Sequence, residues 1–419
     1  MKKIVFLLLF FCVISFSLNV PHYIGKRDVV VEFEDLLGFF DGIPIPNKVI
    51  NGLDFEDGAH SLRLVGSYQE FLFKVVVDTI PPTDVQFTIR EPNFVIFERP
   101  VWEVNYKSRL SFFGKKFEKT TKRYDKLPLV VCSKDEAENL GGFLYIPPSV
   151  ENITPLDSKT PVSGILGKNI LLNSQSPYKI VGKVLIPENS VLFFEGGVEL
   201  KSIGIGEIVS KGTVYIPDNV KFTGNIKFSV EGNGTFYIEG RQFDGEISSN
   251  GGSLLFLKNV ELQDINLSKT NVVIVKNSTL RNLKVSHVGL LVLENSTITE
   301  LDIKNTRSVI VNNVNTVNVN VEGLTSIDVF SINAETFTIS DFSHITMVYS
   351  NVKRLSLKRG TYFRGKKNTF YFLRLEMYSI ANVFGTNVGK VELIKSRCYN
   401  RLSEFGEVNK DSFSLLEDY

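Results

Sequence analysis

The amino-acid sequence predicts an all-β protein, with an N-terminal β-sandwich followed by a right-handed parallel β-helix of 18-residue coils. Three observations support this prediction. The N-terminal third alternates apolar and polar residues with the period of two that is typical of strands. Apolar residues recur every 18 positions in the C-terminal half. The composition, with 43% hydrophobic and 22% charged residues, supplies enough apolar side chains for a packed core.

Charge and histidine content exclude several classes of function. Lys and Arg number 47 against 46 Asp and Glu, so no basic excess points to nucleic acid. The four histidines are scattered, which argues against a histidine metal site and against most histidine acid–base chemistry. We therefore expect no cofactor and no metal. One weak Ca²⁺ alternative is Asp54, Glu56 and Asp57, although an Asp-Gly turn explains most of that pattern.

Residues 1–17 predict a signal peptide. Lys2 and Lys3 precede an apolar run over residues 4–14, and small residues follow at Ser15 and Ser17. The run is too short to span a bilayer comfortably, and no later segment is long and apolar enough to do so. We therefore expect an exported protein without a transmembrane segment, located in the periplasm, on the cell surface or outside the cell.

Residues 18–82 predict a β-sandwich. The segments DGAHSLRLVG (57–66) and FLFKVVVDTIPP (71–82) resemble the last strands of bacterial Ig-like modules, in which a DGxHxL hairpin leads to a strand ending in VDxxPP. The usual Gly-Asn turn is replaced here by residues 67–70. This resemblance implies a spacer or an adhesion unit.

Two further segments precede the repeats. Short apolar runs over residues 83–131 predict a small second β module. Residues 132–176 predict a connector and helix cap. Within them, residues 133–136 form a capping box that opens one short helix, and residues 139–176 are rich in Gly, Pro, Ser and Asn. An export compartment permits a disulfide between Cys132 and Cys398, but their separation along the chain favours two free, buried thiols.

An internal repeat of 18 residues predicts the β-helix over residues 177–397, followed by a C-terminal tail over 398–419. Three columns at this spacing are apolar through eight repeats, apart from Thr316. They contain Leu262, Leu280, Ile298, Thr316, Ala334, Val352, Phe370 and Val388; Ile265, Leu283, Leu301, Val319, Phe337, Leu355, Leu373 and Val391; and Leu267, Val285, Ile303, Val321, Ile339, Leu357, Leu375 and Leu393. Inward positions follow at steps of two and three residues with one step of six, so each repeat predicts one coil of three short strands.

Two arguments favour the right-handed form. A left-handed hexapeptide helix would place Gln263 and Lys269 inside the core, counting from Leu257. The segment VGKVLIPENSVLFFEGGVELK (181–201) also resembles the first coils of right-handed β-helices in exported bacterial proteins, the pectate-lyase-like architecture.

One phase of the repeat is an asparagine column, which contains Asn259, Asn277, Asn295 and Asn313. Stacked amides can hydrogen-bond from coil to coil and satisfy backbone groups at a bend, so we interpret the column as a structural ladder. The alternative is a stripe that binds a ligand.

Outward positions of the first strand of each coil form an apolar stripe, here defined by Phe256, Ile274, Val292 and Ile310. A strand that is apolar on both sides is buried on both sides. Either a segment of the same chain, such as residues 83–176, covers this stripe, or it is the interface of a homo-oligomer or of another partner.

Outward positions of the third strand form a polar face that includes Asp264, Glu300 and Asp302. The β-helix polysaccharide lyases and hydrolases that the chain resembles place carboxylates on such a face, where they bind Ca²⁺ or transfer protons. Glu300 and Asp302 should lie about 7 Å apart, but any i, i+2 pair on a strand has this separation. The three residues are therefore weak catalytic candidates, and a solvated surface is the favoured interpretation.

A basic stretch near the end of the repeats is the candidate binding site for an anionic polymer of the cell envelope. It contains Lys353, Arg354, Lys358, Arg359, Arg364, Lys366 and Lys367, with no acidic residue between them. The alternative is that these charges protect exposed strand edges from aggregation.

These observations favour an exported structural or adhesive protein of the cell envelope, whose elongated β-helix binds a partner or a glycan. The alternative is a polysaccharide lyase or glycoside hydrolase that acts on the outer face of the helix. The two differ in whether Glu300 and Asp302 perform chemistry.

Overall fold

A computed structural model describes residues 20–418, except 34–35, 91–92, 109–110, 124 and 241–245. The predicted signal peptide over residues 1–17 lies outside the described residues. Strands dominate, and the helix that the structure describes is the short 3₁₀ turn Gly52–Asp54. The chain divides into two compact units, one with the described residues up to Ile80 together with Glu136–Asn139, and one with Pro81–Asp135 and the described residues from Leu140 onwards.

The first unit contains two sheets. Its strands are β1 (Tyr23–Ile24), β2 (Asp28–Val30), β3 (Leu37–Phe40), β4 (Ile43–Pro44), β5 (Val49–Asn51), β6 (Gly58–Val65) and β7 (Glu70–Val77). One sheet has the order β1-β7-β6-β3-β4, in which only β1 and β7 are parallel, and β2 pairs with β5 in an antiparallel ribbon. The predicted alternation is confirmed in the β6–β7 hairpin, where Leu62, Leu64, Val75 and Val77 are buried.

The second unit begins with two antiparallel sheets. Their strands are β8 (Phe87–Arg90), β9 (Phe94–Phe97), β10 (Val101–Val104), β11 (Phe113–Phe117), β12 (Thr120–Lys122), β13 (Leu129–Lys134) and β14 (Leu140–Ile146). The sheet orders are β12-β9-β8 and β11-β10-β13-β14. We call residues 83–135 and 140–146 the cover module.

The prediction of a connector with a short helix at residues 133–136 is wrong. Ser133 and Lys134 lie at the end of β13 and pair with Gly141 and Leu140 of β14. The apolar run Leu129–Cys132 is fully buried in this hairpin. Burial of the run therefore determines the structure here, whereas the capping pattern is a local preference that tertiary packing overrides.

A parallel β-helix of about 14 turns follows. Its strands are β15 (Thr154–Pro155), β16 (Val162–Ile165), β17 (Asn169–Leu172), β18 (Tyr178–Ile186), β19 (Val191–Phe194), β20 (Glu199–Ser210), β21 (Thr213–Ile216), β22 (Lys221–Val230), β23 (Thr235–Glu239), β24 (Glu246–Asn250), β25 (Leu254–Lys258), β26 (Glu261–Ser268), β27 (Val272–Lys276), β28 (Thr279–Ser286), β29 (Leu290–Lys304), β30 (Ser308–Glu322), β31 (Ser326–Ile339), β32 (His344–Val348), β33 (Asn351–Leu357), β34 (Tyr362–Lys366), β35 (Thr369–Glu376), β36 (Ile380–Phe384), β37 (Asn387–Ile394), β38 (Arg397–Arg401), β39 (Glu404–Lys410) and β40 (Leu415–Asp418).

The predicted 18-residue register is confirmed. Leu283 pairs with Ile265 of the preceding coil and with Leu301 of the following one, and all three side chains are buried. The same columns form one continuous apolar core along the solenoid. Earlier coils are longer, since Val191 pairs with Thr213, 22 residues on, and Thr213 with Thr235.

The solenoid extends beyond both predicted boundaries. Thr154 pairs in parallel with Ile170, and Ile170 with Leu192, so the first coil lies in the segment predicted as connector. At the other end, β39 pairs with β37 and β40 with β38, so the predicted tail forms further strands of the solenoid. Inward apolar residues such as Leu172 and Leu416 explain both extensions, because they pack against the core.

Candidate functional site

The apolar stripe is covered by the chain itself. Phe256, Ile274, Val292 and Ile310 are at most 5% exposed. They pack in one cluster with side chains of the cover module, namely Val104, Tyr106, Phe112, Val130, Cys132, Phe143 and Tyr145. Of the two interpretations of the stripe, intramolecular cover is therefore the one that the structure contains. The four residues predicted as an interface contact the cover module and are buried by it.

Polar contacts along the same strands hold the cover module in place. Lys276 and Glu294 are adjacent across β27 and β29, and their Nζ and Oε2 atoms lie 2.8 Å apart. Lys276 also donates to the carbonyl of Phe143 at 3.1 Å, and the Gly142 amide donates to Oε1 of Glu294 at 2.7 Å. Each charged group is thus paired within its own coil stack and hydrogen-bonded to β14 of the cover module.

The polar face lies where the sequence predicts it. Asp264 and Glu300 belong to one column on β26 and β29, separated by Asn282 of β28, while Asp302 belongs to the neighbouring column. Asn282 donates to Asp264, Asn318 to Glu300 at 2.7 Å, and Asn320 to Asp302 at 3.1 Å. Each candidate carboxylate therefore accepts a hydrogen bond from an amide one coil further on.

A cavity of about 170 Å³ lies beside Asp302 and is lined by Lys284, Lys304 and neighbouring residues of β26 and β28, among them Ser268 and Ser286. A hydrogen bond from Lys304 to Glu322, together with the charge of Asp302, raises the pKa of the Lys304 ammonium. The lysine thus stays charged at neutral pH. This arrangement can hold an anionic group or exchange ion pairs.

The seven basic residues lie on different parts of the last coils. Lys353 and Arg354 are on β33, Lys358 and Arg359 follow it, Arg364 and Lys366 are on β34, and Lys367 follows β34. Lys353 pairs with Glu335, and Arg359 pairs with Asp341 at 2.8 Å. The acids lie one coil earlier, so inspection of the basic stretch alone could not reveal them. Lys366 is 0% exposed. The set therefore does not form one continuous basic surface.

The asparagine column occupies a corner with left-handed backbone. The φ angles of Asn259, Asn277, Asn295 and Asn313 are between 49° and 55°. Asparagine adopts this region more readily than other residues with a Cβ. Asn313 donates to Asn295 at 3.0 Å, whereas Asn259 donates to Glu239. Backbone conformation explains the whole column, and the amide ladder adds to it at one step.

No protein-family model and no curated protein matches this chain.

Within the described residues, no three His, Cys, Asp or Glu side chains are grouped so that they could hold a metal ion. Asp57 accepts hydrogen bonds from the backbone and hydroxyl of Thr79, both at 2.9 Å. Among all the residues that the structure describes, no helix has the length and apolar character needed to cross a membrane. Cys132 and Cys398 are free and buried, as predicted.

Two features were missed by the sequence analysis. The first is the ion pair Lys276–Glu294. The sequence pattern that could have revealed it is a column of charged residues next to the apolar stripe. The second is a groove of about 780 Å³ beside Tyr371, near the C-terminal end of the solenoid. The sequence pattern that could have revealed the groove is the replacement of outward side chains by Gly389 and Gly406 in one column of the repeat.

Proposed function

We propose that this protein is exported and serves as a structural or adhesive component of the cell envelope, with its β-helix as the surface that binds a partner or a glycan. The bonding of the polar face carries the proposal. Asp264, Glu300 and Asp302 each accept a hydrogen bond from an amide in the next coil. Such bonds stabilise the stacking of coils and keep the carboxylates in one fixed surface.

The regular coil length supports the same proposal. From Leu254 to Val388 the strands repeat every 18 residues, which leaves short turns between them. Catalytic side chains are found disproportionately on loops held by a rigid scaffold. A solenoid without long loops is suited instead to repeated contacts along its length.

Export and envelope association are tested together by cell fractionation. We expect the protein outside the cytoplasm of the producing organism, with an N-terminus near residue 18 in mass spectrometry, and we expect the purified protein to sediment with isolated envelope material. A cytoplasmic protein that retains residues 1–17 would contradict the proposal.

The enzyme alternative is tested by turnover. Acidic and neutral polysaccharides are incubated with the purified protein and with the variants Glu300→Ala and Asp302→Ala. We expect no product above a heat-denatured control. Product formation that is lost in either variant would replace the structural proposal with a lyase or hydrolase.

A further inference from the structure

We infer that the groove beside Tyr371 binds an uncharged glycan chain. The groove lies on the outer side of β33, β35, β37 and β39 and has a volume of about 780 Å³. This is within the range of about 300–1,000 Å³ that is typical of small-ligand sites. The inference rests on the proposed function and adds the ligand class and the location of the site.

Two glycines create the groove. Lys353, Tyr371, Gly389 and Gly406 follow each other in the same outward phase of four successive coils. A Cβ at Gly389 would lie 2.8 Å from the Tyr371 carbonyl oxygen, and one at Gly406 would lie 2.3 Å from that of Gly389. Side chains are therefore sterically excluded at two coils, and the backbone forms the floor beyond the tyrosine.

Tyr371 forms the aromatic wall of this groove and is 77% exposed. The face of an aromatic ring carries negative charge density and attracts weakly positive C–H groups. A pyranose ring has such an apolar C–H face, and its rim carries hydroxyl groups. An exposed aromatic ring beside polar groups thus matches both parts of a sugar.

The polar lining fits hydroxyl groups. Asn351, Asn387 and Thr369 can each donate and accept hydrogen bonds, as a hydroxyl does. The charged lining residues are Lys353 and Glu404, which have opposite signs. Lys353 also pairs with Glu335. The site therefore has no net charge that would favour an acidic polymer.

A peptide is a poorer match. The common extended mode of peptide binding adds a strand to an open sheet edge. β35 and β37, which form most of the groove, are paired on both sides within the solenoid. Most of their backbone hydrogen-bonding groups are consequently already used, in the pairs on either side of Tyr371 and Gly389.

The test is calorimetric titration of the purified chain with hexamers of β-1,4-linked glucose, of N-acetylglucosamine and of galacturonate. We expect an uncharged hexamer to bind and Tyr371→Ala to weaken that binding at least about tenfold, the effect of losing one central contact. Tyr378→Ala is the matched control, because Tyr378 is equally exposed at 77% but lies outside the groove lining. This control should bind as the wild type does.

Three results would overturn the inference: no binding of either uncharged hexamer, binding of galacturonate alone, or equal affinity of the wild type and Tyr371→Ala. Envelope sedimentation with the same variants separates this outcome from failure of the proposed function. If the wild type sediments with envelope material but binds no hexamer, only the assignment of the groove as a glycan site is contradicted. If the wild type neither sediments with envelope material nor binds a hexamer, both proposals are contradicted.

Discussion

Lys276 and Glu294 form an ion pair at 2.8 Å between adjacent coils, and each also bonds to the backbone of the cover module. The Glu294 side chain is 3% exposed. A buried charge is tolerated only when it is paired and hydrogen-bonded. This pair therefore specifies where β14 sits on the apolar stripe.

Glu294→Ala should lower the free energy of unfolding by about 3–5 kcal/mol, because it leaves the buried Lys276 ammonium with only the more distant Asp84 carboxylate, at 3.9 Å, as an ion-pair partner. The double variant Lys276→Met/Glu294→Leu should lose less free energy of unfolding than Glu294→Ala, because it leaves no unpaired buried charge. Urea titration measures both. Glu322→Ala is the control, since its partner Lys304 is exposed and a smaller loss is expected. A loss at Glu294 no larger than at Glu322 would contradict this role.

Leu283→Ala should cost about 2–5 kcal/mol, because Leu283 is fully buried and its removal opens a cavity in the core. Its sequence neighbour Asn282 faces outward and donates to Asp264. Asn282→Ala should cost under about 1 kcal/mol. Equal losses in a denaturant titration would be inconsistent with the assigned inward and outward phases.

The asparagine corner predicts opposite effects for two substitutions. Asn277 has a φ of 51°, a region that glycine adopts freely and β-branched residues avoid. Asn277→Gly should leave the melting temperature nearly unchanged, whereas Asn277→Val should cost about 1–2 kcal/mol. If Asn277→Gly lost as much stability as Asn277→Val, the hydrogen bonds of the side-chain amide, and not the backbone conformation, would explain the asparagine.

Ile274→Lys should destabilise the protein without changing its mass in light scattering, since Ile274 packs beneath the cover module. Thr346 lies in the same outward column on β32, where the stripe has become polar. Thr346→Lys should therefore be tolerated. Conversion of an oligomer into a monomer by Ile274→Lys would show that the stripe is an interface between subunits.

The two described thiols should resist alkylation. Burial raises the pKa of Cys398 to about 12 and also raises the pKa of Cys132. Both therefore remain protonated at pH 8, and mass mapping should find them modified only after unfolding. A thiol with a raised pKa retains a proton that the unfolded chain releases, so its stabilising contribution should decline above pH about 9. Modification of the native protein at pH 8 would contradict this burial.

Periodicity predicted the parts of the fold in which one pattern repeats many times. The 18-residue columns predicted the register of Leu283 with Ile265 and Leu301, because each inward side chain must meet its equivalent in the next coil. The polar face containing Asp264 follows from the same phase. The hairpin of β13 and β14 was not predicted, because its partner strands have no repeated pattern and its turn residues also resemble a helix start.

The candidate sites depended more on contacts between distant residues. Sequence inspection identified the basic residues, but their acidic partners lie one coil away, as Asp341 does for Arg359. The sequence also identified the stripe around Ile274, but it did not decide whether a segment of the same chain or another subunit covers it. The groove beside Tyr371 was missed, since a volume depends on the side chains that several coils place together.

The sequence by itself determined that the chain winds into stacked coils and which side chains point inward. The reason is that apolar residues at a constant interval are all buried when coils of that length stack around one core. Tertiary structure alone decided that the cover module lies over the stripe and that Lys276 and Glu294 are buried beneath it. The physical reason is that burial of an outer face depends on which surface lies against it, and that surface comes from a part of the chain more than 100 residues away.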